Sequence, residues 1–216
     1  YVDGLHNLLD WLAARGQRPR RLLFVSSSGV YGQDTGEWVD EDSPAEAAGF
    51  SARIMREAER LALGSGHPAS VVRLAGIYGP DREWLLRHFP DRVRHVLSLR
   101  QVREGRRVRR EPPLYANRIH AEDAAGLLAC LLEAAARGER LADCYLGVDD
   151  EPAPLHEVVD WLRALLGVRH WSAQEEIRRT GSKRCRNARA RALGWMPRYP
   201  SYREGYAALL DAGERS

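Results

Sequence analysis

The sequence contains few cysteines, no long apolar run and almost no lysine. Its 216 residues include 3 cysteines, an odd number without the spacing of metal ligands. We therefore predict no metal site, and buried thiols in a reducing, cytoplasmic compartment. No run of about 18 apolar residues is present, so no stretch has the length of a membrane-spanning helix. No charged and then apolar leader is visible at the start. We expect a chain without a membrane partner.

The positive and negative charges are nearly balanced. The chain has 33 basic and 30 acidic residues, a formal net charge of +3, and Lys183 is its sole lysine. Eight arginines and one acid cluster in residues 92–110. This cluster fits either a patch for phosphate or another anionic ligand, or a plain solvated surface. Few aromatic residues interleave with these arginines, so we predict no nucleic-acid partner.

Apolar patterning predicts alternating strands and helices. Short apolar runs bounded by turn residues predict strands at 20–27, 69–79 and 142–148. Helical periodicity predicts helices at 2–15, 51–64, 120–138 and 154–167, with helical pieces near 82–89 and in the tail, and extended segments over 96–116. This order favours a parallel sheet covered by helices. Ligands bind such sheets beyond the carboxyl ends of the strands, here residues 26–32 and 74–80.

Three stretches carry a family resemblance: FVSSSGVYG (24–32), RLAGIYGP (73–80) and NRIHAEDAA (117–125). In order and spacing they resemble the extended short-chain dehydrogenase/reductase superfamily, of the NAD-dependent epimerase/dehydratase type. The tail stretches SKRCRNARARALGW and YPSYREGY resemble an atypical branch of that superfamily. The resemblance implies an α/β fold with a Rossmann-like doubly wound parallel sheet and a small C-terminal substrate lobe. It also implies NAD or NADP as cofactor and a nucleotide sugar or another small polar molecule as substrate.

The resemblance also implies a division of the chain. Residues 1–80, completed by 118–150, would form the C-terminal half of an NAD(P)-binding domain, and 81–117 with 151–216 the substrate lobe. Family members begin with a strand, a Gly-x-x-Gly-x-x-Gly loop that holds the pyrophosphate, and a helix, and this chain contains no such loop. Helix 2–15 resembles the helix before the family's fifth strand. We therefore expect the N-terminal strands, roughly 70 residues, to be missing, which leaves NAD versus NADP open.

A second departure concerns the catalytic pair. The family places a Tyr-x-x-x-Lys pair at the start of the helix predicted over 51–64, where the tyrosine passes a proton while hydride moves. Aligned on Glu59, these two positions hold Ser51 and Met55, and aligned on Glu57 they hold Gly49 and Arg53. No alignment restores both groups. Either another residue handles the proton, or the family's standard reaction does not occur here.

The resemblance assigns candidate site residues. Ser27 aligns with the hydroxyl that binds substrate, although it could instead only cap the strand end. Tyr31 and Tyr78, each at a strand end, are candidate substitutes for the proton donor, and Tyr31 is assigned to the catalytic set. The expected cofactor-binding residues are Ser26, Arg73, Leu74, Ala75 and Gly76. The expected substrate-binding residues are Ser28, Tyr78, Asn117, Arg118, His120 and Lys183. Purely structural roles are the alternative for the turn, cap and tail residues among them.

The sequence fits two functions. The first is an NAD(P)-dependent epimerase/dehydratase-like oxidoreductase. The second is a dinucleotide-binding sensor or scaffold that kept the fold and lost catalysis, which the missing Tyr-Lys pair favours. Family members often form dimers through two helices, so the resemblance also implies a homodimer through helices 2–15 and 51–64.

Overall fold

A computed structural model describes residues 1–80, 97–173, 176–177 and 181–213. The described α-helices are α1 Val2–Ala14, α2 Phe50–Leu63, α3 Leu99–Arg103, α4 Ala121–Ala136, α5 Leu155–Leu165, α6 Ala188–Ala192 and α7 Tyr202–Gly213. The described strands are β1 Leu22–Ser27, β2 Glu37–Val39, β3 Ala69–Leu74, β4 Gly76–Tyr78, β5 Arg118–His120, β6 Cys144–Gly147 and β7 Lys183–Cys185. A 3-10 turn, Ser28–Val30, follows β1 directly.

The main sheet is parallel, in the order β1-β3-β6. Ser27 lies opposite Leu74, which in turn lies opposite Gly147, so the carboxyl ends of the three strands lie side by side. The central strand reads as a continuous apolar run because Val71 and Val72 are buried on both faces of the sheet, at 1% and 0% exposure. The predicted α/β class with a parallel sheet is confirmed. Two further parallel pairs, β2–β7 and β4–β5, lie outside this sheet.

Two predicted elements differ from the structure. The strand expected over 69–79 divides at Ala75, because the chain changes its bonding partner there. The Ala75 N–H donates to the Gly147 carbonyl at 2.9 Å, and the Gly76 N–H donates to the Asn117 carbonyl at 3.3 Å. Residues 99–103, expected to be extended, form helix α3, whose first turn is closed by the side chain of Ser98. The predicted pieces near 82–89 lie outside the described residues.

Helices cover the sheet and build a second core beside it. α4 buries Leu127 and Leu131 in a cluster with Val72 and Leu74 of β3. α5 and α7 form another cluster around Leu155, Leu162 and Tyr202, among others. None of the described helices has the length and apolar character needed to cross a bilayer.

The two helices expected at a dimer contact pack against each other. α1 and α2 lie side by side, and Leu8, Trp11 and Phe50 stay 44%, 48% and 72% exposed on them. The homodimer stays a prediction, and these three side chains are among the exposed apolar residues of the two helices that it would cover.

Gly205 in α7 is required by the close approach of Tyr78. The Tyr78 ring stacks on Tyr206, with centroids 4.8 Å apart, and meets His120 edge-on. A Cβ added at Gly205 would overlap the Tyr78 hydroxyl oxygen and ring. We expect Gly205→Ala to lower the free energy of unfolding by about 1–3 kcal/mol, since the trapped ring cannot move aside. Chemical denaturation measures this loss.

Gly126→Ala in α4 is the matched control. Gly126 is exposed, and a Cβ there would meet only the Trp195 indole nitrogen, at an ordinary 3.8 Å. Alanine in a helix interior is favoured over glycine by about 1 kcal/mol, so this variant should gain stability. An equal gain at Gly205 would contradict the close packing of Tyr78 against α7.

Candidate functional site

Ser27 occupies the carboxyl end of β1, beside the end of β3. It is half-buried, and its side-chain oxygen accepts the backbone N–H of Gly29 at 3.0 Å, which caps the 3-10 turn. Its neighbour Ser28 lies in that turn, and the Ser28 carbonyl accepts the Tyr31 N–H at 3.3 Å. The bond from Gly29 fixes the Ser27 oxygen and leaves the hydroxyl hydrogen for another acceptor. Ser27 can therefore both cap the strand end and donate to a ligand.

A buried ion pair lies below this edge, between the sheet and α2. The Arg73 guanidinium donates twice to the Glu59 carboxylate, at 3.0 Å and 2.7 Å, and the two side chains are 12% and 6% exposed. Ser26, which points to the face opposite Ser27, donates to the same carboxylate at 2.5 Å. The side chains of Ser26 and Arg73 are thus bound to the protein itself, and only their backbone lies along the strand ends.

Tyr31 joins this buried cluster. Its hydroxyl oxygen accepts a hydrogen bond from Arg73 at 2.8 Å, and the residue is 2% exposed. Burial raises the pKa of Tyr31 well above its usual value, against the opposing effect of the Arg73 hydrogen bond. A phenol in this state gives up its proton less readily than usual. The structure therefore makes Tyr31 less suited to the role of proton donor that the sequence suggests.

Helix α2 carries neither tyrosine nor lysine where it meets the site. It packs against β1 and the 3-10 turn. Gly49 is its N-cap and Ser51 is exposed in its first turn, while Met55 packs against the cluster that contains Val30 and Tyr31. Arg53 is exposed on another face of the helix. The hydroxyl, thioether and guanidinium groups at these positions do not reproduce a tyrosine–lysine proton relay.

His120 and Tyr78 form a packed aromatic group where β4 pairs with β5. Tyr78 lies opposite His120 in the register, and the His120 ring also contacts Tyr199, with centroids 4.1 Å apart. The His120 Nδ1 accepts the backbone N–H of Glu122 at 3.3 Å and so caps α4. Burial lowers the pKa of His120 and raises that of Tyr78. Both residues are 2% exposed.

Arg118 is buried at the start of β5 rather than open to solvent. It is 5% exposed and donates to the Ala116 carbonyl at 2.8 Å. Its guanidinium lies 4.0 Å from the carboxylate of Asp149, which is 2% exposed and follows the end of β6. Burial raises the pKa of Asp149 to about 8, although the Arg118 charge opposes this shift. The charge of Arg118 thus acts within the protein, beside a carboxyl group that burial keeps largely protonated at neutral pH.

Asn117 and Lys183 connect the tail to the site. The Asn117 side-chain nitrogen donates to the Lys183 carbonyl at 2.9 Å, and its side-chain oxygen accepts the Cys185 N–H at 2.8 Å. The side chain thus bonds to the backbone of β7 as a neighbouring strand would. The Lys183 ammonium donates to the Tyr31 carbonyl at 3.0 Å. This holds β7 against the loop that follows Ser27, so the tail forms one wall of the site.

Two residues of this arrangement were not among the predicted site residues. From the sequence, Glu59 serves only to align α2 with the family pattern, and Asp149 has no predicted role. The sequence feature that could have indicated Glu59 is its position beside Ala58 and Ala62, on the buried side of α2. Asp149 is the first of two aspartates and comes two residues after the end of β6, a position from which a side chain can reach the carboxyl edge of the sheet.

A family comparison accounts for this architecture. Residues 2–145 match the model of the NAD dependent epimerase/dehydratase family. The chain belongs to the NAD-dependent epimerase/dehydratase family. The predicted superfamily is thereby confirmed, and with it the class of Rossmann-fold oxidoreductases. The match includes β1 with Ser27, the whole of α2 and β3, so the sites at which this member departs from the Tyr-x-x-x-Lys pattern lie within the matched region.

Several known proteins resemble the chain over nearly all of its length. A putative NAD-dependent epimerase/dehydratase from Methylobacillus flagellatus is 35% identical with a TM-score of 0.77, and the alignment covers 100% of this chain and 71% of that one. A 3-diazoavenalumate denitrifying reductase from a Streptomyces species is 28% identical over 94% of this chain and 69% of its own length. Human epimerase family protein SDR39U1, solved with NADPH, has a TM-score of 0.73 at 18% identity, over 97% of this chain and 72% of that one.

Proposed function

We propose that the protein is an NAD(P)-dependent reductase of a small polar substrate, in which Ser27 binds the substrate and α2 supplies no proton. The observation that carries this proposal is the Ser27 hydroxyl at the carboxyl edge of the sheet. Its oxygen is held by the Gly29 N–H at 3.0 Å, and no acceptor within the described residues uses its hydrogen. A donor fixed in this way can orient a substrate oxygen or nitrogen.

The residues at this edge suit the nicotinamide end of NAD or NADP. Ala75 and Gly76 follow β3 directly. Ala75 is buried, whereas Gly76 is partly exposed and has no side chain, so a flat ring can approach its backbone closely. When bound, a nicotinamide supplies the hydride that the reduction consumes. The chain contains no glycine-rich pyrophosphate loop, so the proposal assigns to these residues only the nicotinamide end of the cofactor.

The proton balance favours a substrate that accepts hydride without an enzymatic acid. Either Ser51 and Met55 or Gly49 and Arg53 stand at the tyrosine and lysine positions at the start of α2. The raised pKa of Tyr31 makes that phenol a weak acid. Hydride replacement of an activated leaving group is a reaction of this kind. For an arenediazonium ion, the hydride pair forms a C–H bond while the C–N bond pair leaves with dinitrogen, and no proton is needed. The curated relative named as a reductase of a diazo compound supports this class.

The test combines binding and turnover, in the protein together with any sequence that precedes Tyr1 naturally. Calorimetry measures the affinity for NADH and NADPH. Cofactor oxidation is then followed with an arenediazonium carboxylate, a nucleotide sugar and a simple ketone. We expect binding of one cofactor and turnover of the diazonium compound. Cofactor binding without any turnover would instead favour the sensor or scaffold, and turnover of only the nucleotide sugar or ketone would refute the proton argument.

Ser27→Ala is expected to lower kcat by about 10- to 100-fold, since a hydrogen bond to a charged or polarised group contributes about 1.5–3 kcal/mol. Ser65→Ala is the matched control. Ser65 also accepts the backbone N–H two residues ahead, from His67 at 3.4 Å, but in the turn after α2. If Ser27 only caps the strand end, both variants should lose a similar small amount of stability and neither should slow turnover. That outcome would contradict the substrate contact.

A further inference from the structure

A concave surface lies along α2, next to the Glu59–Arg73 ion pair, and Ser27 is not among the residues that line it. It encloses a cavity of about 510 Å³ and is lined by six charged residues and Ala45. The charged residues are Arg53, Arg56, Glu57, Glu59, Arg60 and Arg73. Arg53, Arg56 and Arg60 follow one another at intervals of three and four residues, so they share one side of the helix. We call this surface the α2 cleft.

The lining of the α2 cleft has an excess of positive charge. Four guanidinium groups face two carboxylates, and the Glu59 carboxylate is already bound by Arg73 and Ser26. Glu57 is therefore the remaining carboxylate, and it lies on the same side of α2 as Arg53, Arg56 and Arg60. Like charges gathered around a concave surface repel one another, and their repulsion is relieved when an anion binds between them.

Arg56 is the fixed element of the cleft. Its two terminal nitrogens donate to the Ala45 carbonyl at 2.7 Å and to the Ala47 carbonyl at 3.3 Å. Its Nε is buried and has no hydrogen-bond partner among the described residues. Arg53 and Arg60 are exposed, and no ion pair within the described part of the chain engages them. The Arg56 guanidinium is thus held in place, while those of Arg53 and Arg60, before and after it on the helix, are available to bind a ligand.

We propose that the α2 cleft binds a small phosphate-type oxyanion. The planar forks of Arg53 and Arg60 match the oxygen geometry of such a group in a bidentate manner. Arg56 supplies a fixed positive charge between them, and the charge excess selects an anion that carries more than one negative charge. This site is independent of the reductase proposal, since it involves neither Ser27 nor a nicotinamide.

The test is calorimetric titration with inorganic phosphate and with pyrophosphate, each at constant ionic strength set with sodium chloride. We expect saturable binding of at least one of the two. The double variant Arg53→Gln/Arg60→Gln should weaken binding by at least about tenfold, which corresponds to about 1.4 kcal/mol. Glu57→Gln should strengthen it, because this change removes the unpaired carboxylate of the lining.

Arg18→Gln/Arg20→Gln is the control for net charge. Both residues are exposed and lie before β1, outside the lining of the cleft. It should bind phosphate like the unmodified protein. The absence of saturable binding, an equal loss in the control, or weaker binding by Glu57→Gln would each overturn the proposal. Because the readout is anion affinity, failure of the reductase proposal would leave this test unaffected.

Discussion

Replacing Glu59 by glutamine should lower the free energy of unfolding by about 3–5 kcal/mol, because the change leaves the Arg73 charge buried without a counter-ion. The carboxylate receives two hydrogen bonds from Arg73 and one from Ser26, and its side chain is 6% exposed. A glutamine keeps the shape but offers one acceptor oxygen and no charge. Urea denaturation monitored by circular dichroism gives the difference.

Two further variants test whether the loss of stability in Glu59→Gln comes from the Glu59–Arg73 ion pair. Glu57→Gln, two residues away on an exposed side of α2, should change the unfolding free energy by less than about 0.5 kcal/mol. The double variant Glu59→Leu/Arg73→Met should recover much of the loss, since replacing a buried ion pair by apolar groups is often nearly neutral. A loss below about 1 kcal/mol in Glu59→Gln would contradict a buried, fully bonded pair.

Asp149→Asn should change how stability depends on pH. Burial raises the pKa of Asp149 to about 8 from its ordinary value of 3.8. Between these values the native carboxyl group keeps its proton while the unfolded one is ionised. Unfolding then releases a proton, so the stability contributed by this group is present at low pH and is lost as the pH rises towards 8. Each pH unit contributes at most about 1.4 kcal/mol.

The comparison of the variant with the unmodified protein isolates this effect. Asparagine does not titrate, so the variant should gain up to about 4 kcal/mol relative to the unmodified protein between pH 5 and pH 8. The lowered pKa of His120 acts in the opposite direction in both proteins and therefore cancels. Asp160→Asn, which removes an exposed carboxylate paired with Arg110, is the control. Parallel pH profiles for Asp149→Asn and the unmodified protein would show that Asp149 is ionised in the fold.

Much of the fold follows from the sequence because periodicity reports burial. The run at 69–79 contains β3, the central strand of the described sheet, whose Val71 and Val72 are buried as a central parallel strand requires. The run at 20–27 contains β1 beside it, and the helix over 51–64 shows a clear apolar side. The break at Ala75 could not be predicted, since residues 73–78 continue the apolar pattern while the backbone changes partner from Gly147 to Asn117. Helix α3 has five residues, too few for periodicity to distinguish it from an extended segment.

The candidate site could be predicted only in part from the sequence, because some of its contacts depend on how distant segments pack together. The family motif located Ser27, and the alignment of α2 located the positions that lack tyrosine and lysine. The motif did not show that Arg73 and Tyr31 bind each other, because that contact depends on how α2 and the loop after β1 pack on the sheet. Nor does an alignment show that the Arg118 guanidinium is enclosed with Asp149. Pairing between distant charged residues is set by packing, which local pattern does not encode.

The most direct measurement of the central claim is the transfer of deuterium from NAD(P)D, labelled at the reactive carbon of the nicotinamide, to a reduced product. The experiment uses an arenediazonium carboxylate as substrate and mass spectrometry as readout. We expect one deuterium on the carbon that lost dinitrogen, and a slower appearance of that product with Ser27→Ala. Tight binding of the labelled cofactor with no deuterium in any product would contradict it.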